Sequence, residues 1–118
     1  MRILVVDDHD FVRNEIVKGI KEHGHIVHEA PSGEHAVSML PRLEIDMVIT
    51  DLNMVRGGLT GIDLIVHVRK TKPKVRLWLM SVDIKIKTVE EALGHGAEQA
   101  VDKNYIHGHL KKANIIKH

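Results

Sequence analysis

Ile3-Leu4-Val5-Val6-Asp7-Asp8 is a short apolar run that stops abruptly at two carboxylates. Three of its four apolar residues are β-branched. An unbroken apolar run of this length suits a strand covered on both faces, as in a parallel sheet. Immediately after it the periodicity changes. Val12, Ile16 and Ile20 recur every four residues between Asp10 and His23, which predicts an amphipathic helix stopped by Gly24.

The same alternation of periods continues to the end of the chain. Strands are predicted at 26–30, 46–50, 75–80 and 99–102. Ser32 is a candidate N-cap for a helix carrying Ala36, Met39, Leu40 and Leu43, which Pro41 ends or distorts. Ile62, Ile65 and Val68 mark a third helix, Val89, Ala92 and Leu93 a fourth, and Ile106, Leu110 and Ala113 a fifth. Strand and helix alternating five times imply an α/β protein, a three-layer α/β/α sandwich with right-handed crossovers. The five units use residues 1–118, so one domain with no effector domain is expected.

Composition narrows the class. Seventeen Lys/Arg against sixteen Asp/Glu leave a net charge of +1, which gives no drive toward nucleic acid or an anionic membrane. Without cysteine there are no disulfides or thiolate metal sites. No apolar run approaches the roughly 20 residues of a membrane span, and the N-terminus turns acidic too early for a signal peptide. A cytoplasmic protein is the expectation. Ten histidines include the close sets His23/His25/His28 and His107/His109, but neither has the helical spacing and nearby carboxylate of a zinc site.

In an open parallel sheet, ligands bind beyond the carboxyl ends of the strands. The residues predicted there are Asp7 and Asp8, Asp51, Ser81 and Lys103. Clustered carboxylates repel one another until a cation relieves them, and an all-oxygen set suits Mg²⁺ (or Mn²⁺) better than zinc. A carboxylate can attack phosphorus and form an aspartyl phosphate. The charge that develops then calls for a metal, an ammonium and a hydroxyl held in place.

With Asp46-Met47-Val48-Ile49-Thr50-Asp51-Leu52-Asn53-Met54, Gly61-Ile62-Asp63-Leu64, Ser81, Gly96-Ala97 and Lys103, the whole chain resembles the CheY-like receiver domains of two-component response regulators. The resemblance implies a flavodoxin-like five-stranded parallel sheet in the order 2-1-3-4-5. It implies Asp51 as phosphoacceptor. The metal would be held by Asp8, Asp51 and the backbone carbonyl of Asn53, with Asp7 acting through metal-bound water. Ser81 and Lys103 would stabilise the phosphoryl group, and Asn53 and Asp83 occupy rate-tuning positions. It implies a sensor histidine kinase or phosphotransfer protein as donor and a downstream protein target at the surface of helix 4, strand 5 and helix 5, with no direct binding to nucleic acid or membrane. Such a chain is not an enzyme beyond transfer to, and hydrolysis from, its own Asp51.

The sequence also departs from the family pattern. Asn104 replaces the proline that usually follows the lysine, so a trans bond and a rearranged loop are expected. Ala100 stands where a switching aromatic ring is usual. Val82 replaces a small residue and is expected to narrow the approach to Asp51. Val55 replaces a proline, and the Val55–Thr60 loop is longer by two residues, with Gly57-Gly58 adding flexibility. These departures motivate an alternative, a phosphorylation-independent binding module of the same fold. A haloacid-dehalogenase-type phosphatase is disfavoured because no acidic pair follows Lys103. A flavodoxin is disfavoured because an Asp-Asp-His-Asp loop would repel the flavin phosphate.

Overall fold

The structure is a computed structural model that describes residues 1–117. Residue 118, the last of the expected single-domain span, lies outside the described residues. The apolar runs form strands β1 (Arg2–Val6), β2 (Ile26–Ala30), β3 (Met47–Asp51), β4 (Arg76–Ser81) and β5 (Gln99–Asp102). The periodic segments form helices α1 (Asp10–Lys21), α2 (Gly33–Met39), α3 (Gly61–Thr71), α4 (Ile86–Gly94) and α5 (Ile106–Lys112). All pairings are parallel and the order is β2-β1-β3-β4-β5.

Alternate residues of a strand face opposite sides of the sheet, and two cores result. Leu4, Val6, Val48, Leu77 and Leu79 pack with Ala36, Leu40, Leu64, Ile65 and Ala92, from α2, α3 and α4 and the turn after α2. Ile3, Val5, Ile49, Trp78 and Met80 pack with Ile16, Ile20, Ile106 and Leu110, from α1 and α5. The central strands β1, β3 and β4 are therefore buried on both faces, which explains their unbroken apolar sequences.

Local chemistry sets several boundaries. The Ser32 hydroxyl caps α2 by accepting the His35 N–H at 3.1 Å. Pro41 turns the chain into a 3₁₀ turn over Leu40–Arg42, which leaves Leu43 outside the helix that was expected to carry it. The first helix ends at Lys21 rather than His23, and Gly24, at φ +85°, completes the turn after it. The expected strands at 46–50 and 75–80 lie one residue further on, so Asp51 and Ser81 are the last residues of β3 and β4. Their backbones are thereby fixed by strand pairing instead of lying in a loop.

Candidate functional site

Asp7 and Asp8 follow β1, Asp51 ends β3, and β1 and β3 are neighbours in the sheet. One oxygen from each of these carboxylates lies within 4.8 Å of the others. Among the described residues no other group of three or more acidic or histidine side chains comes together in this way. His23 instead bonds the Gly19 carbonyl at 2.8 Å, and His25 bonds the Ile115 carbonyl at 2.6 Å.

Asp7 is completely buried. Its Oδ1 accepts the His9 N–H at 2.9 Å, its backbone carbonyl accepts from Arg13 at 2.7 Å, and its Oδ2 lies 2.6 Å from the Lys103 ammonium. Arg13 is itself held by Asp10 and Glu29, each at 2.9 Å. The Lys103 Nζ also lies 3.5 Å from Asp51 Oδ2, so a single ammonium spans two of the three carboxylates.

Burial raises the Asp51 carboxyl to about 6; Lys103 opposes this rise, whereas the charges of Asp7 and Asp8 add to it. A cation at this point would remove the repulsion that the ammonium leaves uncompensated. The donor set is oxygen throughout and tight enough for a hard divalent ion.

Asn104 follows Lys103 where the family usually has proline, and the loop there is rearranged as expected. Among the described residues there is no cis peptide bond. The chain instead makes a 3₁₀ turn over Lys103–Tyr105, and the Asp102 carboxylate accepts the Asn104 N–H at 2.9 Å. The N–H that proline lacks is the one this turn uses, and Lys103 is delivered to the acidic group all the same. Ser81 is buried at the end of β4, whose register pairs it with Asp102. Ala100 is partly buried against the α2–α4 core and Tyr105 is exposed, so no aromatic ring stands at the usual switch position. Asn53 is exposed in the loop. Asp83 is exposed and pairs with Lys85 at 3.2 Å, so its contact is outside the acidic group. Val82 is exposed as well.

The chain matches the family model of the response regulator receiver domain over residues 3–114. It belongs to that family. This receiver domain is 27% identical over 105 residues to the two-component response regulator PhoP of Pseudomonas aeruginosa, covering 89% of this chain and 46% of PhoP. The chain thus spans about half the length of the curated relatives it matches. Among solved structures, a Francisella response regulator receiver domain superposes with a TM-score of 0.85 at 23% identity, over 97% of this chain and 93% of that one, which bears on the fold alone. The response regulator TrrA of Thermotoga maritima, in complex with Mg(2+)-BeF, superposes with a TM-score of 0.81 at 26% identity, over 98% of each chain. Receiver domains are signalling modules and not classical enzymes, and response regulators work with histidine kinases. Among the described residues no helix is long and apolar enough to cross a membrane.

The residues that anchor the loop between β3 and α3 are additional to those expected from the sequence. Around Gly57-Gly58 the Glu34 carboxylate accepts the Gly58 N–H, the Val55 N–H donates to Asp8 Oδ2 at 2.6 Å, and Arg56 reaches Asp10 at 3.3 Å. Thr60 and Asp63 close a reciprocal capping box at the start of α3. That box was legible in the Thr60-x-x-Asp63 spacing. The contacts of Glu34, Asp8 and Asp10 with the loop have no local signature, because the partners lie 24 to 47 residues apart.

Proposed function

We propose that Asp51 accepts a phosphoryl group from a phosphohistidine of a sensor kinase or phosphotransfer protein, with Mg²⁺ (or Mn²⁺) held by the acidic group. The observation that carries this reading is the Lys103 ammonium, 2.6 Å from Asp7 and 3.5 Å from Asp51, inside a group of three carboxylates. Asp8, Asp51 and the Asn53 carbonyl would hold the cation directly and Asp7 through water. Once bound, the cation would neutralise charge on the phosphoryl oxygens.

An Asp51 oxygen forms the new bond to phosphorus as the bond from phosphorus to the donor imidazole nitrogen breaks, and the electron pair leaves with the imidazole. Lys103 pairs with one phosphoryl oxygen and the Ser81 hydroxyl donates to another. Ser81 ends β4 beside β3, and Lys103 already lies 3.5 Å from Asp51, so the movement required of both is short. Asn53 and Asp83 tune the rates of transfer and hydrolysis. The added charge draws Ser81 and Lys103 inward and biases the nearby loops. A protein target reads that bias at the surface of α4, β5 and α5, in the cytoplasm, without nucleic acid or membrane. The alternative of a phosphorylation-independent module is disfavoured by the intact acidic group and the aimed lysine.

Intact mass after treatment with acetyl phosphate, with and without Mg²⁺, tests this. A gain of one phosphoryl group is expected in the unaltered chain with Mg²⁺, and none in Asp51→Asn. Equal labelling of the two would overturn the acceptor assignment. No gain with acetyl phosphate or with a cognate kinase would favour the phosphorylation-independent module.

A further inference from the structure

The loop between β3 and α3 is hydrogen-bonded to the acidic group at Asp8. The Val55 N–H donates to Asp8 Oδ2 at 2.6 Å, while the Val55 side chain is 93% exposed and packs on little. The contribution of this residue is therefore its backbone donor. A proline here has no such donor to offer.

The rest of the loop is braced so that the donor stays in place. Arg56 pairs with Asp10 at 3.3 Å. Glu34, at the start of α2, accepts the Gly58 N–H, and this bond above all holds its carboxyl below the usual carboxylate range. Gly57 adopts φ +81°, and a Cβ there would overlap the Glu34 carboxylate. The absent side chain is thus the condition for the loop to lie against Glu34. Leu59 closes over Gly33 at the other end of the loop.

We infer that Val55 and Glu34 are positioning residues for the cation. The Val55 N–H fixes the Asp8 carboxylate through Oδ2, and Glu34 holds the loop that carries this N–H. The inference rests on magnesium being held directly by Asp8, Asp51 and the Asn53 carbonyl, and through water by Asp7, as proposed above. A carboxylate bonded through one oxygen presents the other in a defined direction, and loss of such an outer partner weakens metal affinity by about 10–100-fold. Asp7 has a parallel arrangement, with the His9 N–H on its Oδ1. In this chain the enlarged loop does for Asp8 what the turn after β1 does for Asp7.

Calorimetric titration of the full chain with Mg²⁺ tests the assignment, alongside amide exchange at Val55 read by NMR. Val55→Pro and Glu34→Ala are each expected to raise the Kd for Mg²⁺ about tenfold. Glu34→Gln keeps an acceptor for the Gly58 N–H and is expected to recover most of the affinity. Protection of the Val55 amide is expected to fall in Glu34→Ala and to persist in Glu34→Gln. If Val55→Pro and Glu34→Ala both bind Mg²⁺ within twofold of the unaltered chain, or more tightly, the positioning role is overturned and the proposed function stands. If the unaltered chain binds no Mg²⁺ at millimolar concentration, both fall together.

Discussion

Asp51 pays an electrostatic cost in the metal-free chain, and that cost has a sign that can be measured. Folding raises its pKa from 3.8 to about 6, chiefly by burial. The folded chain therefore holds this proton more tightly than the unfolded one, so stability falls as pH rises from about 4 to about 6 and stays reduced above that. Ionisation at neutral pH costs about 2–3 kcal/mol. Asp51→Asn is expected to recover much of this, which urea unfolding at pH 7.5 in EDTA would register as a higher midpoint. At pH 4 the gain should shrink toward zero. Lys103→Met is expected to act in the opposite direction. It strands the fully buried Asp7, whose Oδ2 lies 2.6 Å from the lysine ammonium, and removing one partner of a buried pair costs about 3–5 kcal/mol. The same unfolding series, run at neutral pH, checks it.

The elements around Asp51 are joined by backbone contacts that leave no room for substitution. Gly61, the first residue of α3, lies so close to β3 that a Cβ would overlap the Asp51 carbonyl and crowd the Leu79 side chain. Gly61→Ala is expected to push α3 away from the strand end, at about 1–3 kcal/mol. The expected signature is a lower urea midpoint together with weaker phosphoryl labelling, because the displaced backbone is that of Asp51, the proposed acceptor. The capping box of Thr60 and Asp63 is separable from this effect. Thr60→Ala removes one acceptor from the helix start and is expected to cost about 1 kcal/mol of stability, while labelling at saturating Mg²⁺ is retained.

For the molecule as a whole, the acidic group trades stability for occupancy. Three carboxylates and one ammonium leave net negative charge at the edge of the sheet, so a ligand that binds only the folded state adds to its stability. Mg²⁺ at a hundredfold excess over its Kd is expected to raise the unfolding free energy by about 2.7 kcal/mol. Chelation should reverse this, and Asp8→Asn should lose most of the gain. Thermal unfolding scans with and without EDTA would show both effects. A shift of equal size in Asp8→Asn would place the cation elsewhere.

Much of this architecture is local in origin. The runs at Ile3–Val6 and Met47–Ile49 become strands because each is apolar on both faces, and the four-residue spacing of Val12, Ile16 and Ile20 turns one side of α1 to the core. Residues at strand ends reach one rim because parallel strands all point the same way, so Asp7, Asp8 and Asp51 could be assigned together from their positions in the sequence. Lys103 and the loop were different. Asn104 signals a rearranged loop but not where that loop sends the lysine, which the Asp102 cap decides, and Gly57-Gly58 carries no sign of the Glu34 carboxylate that holds it. Periodicity records which face of an element is buried. It holds no information on which side chain meets a backbone N–H dozens of residues away, and that pairing exists only once the chain has packed.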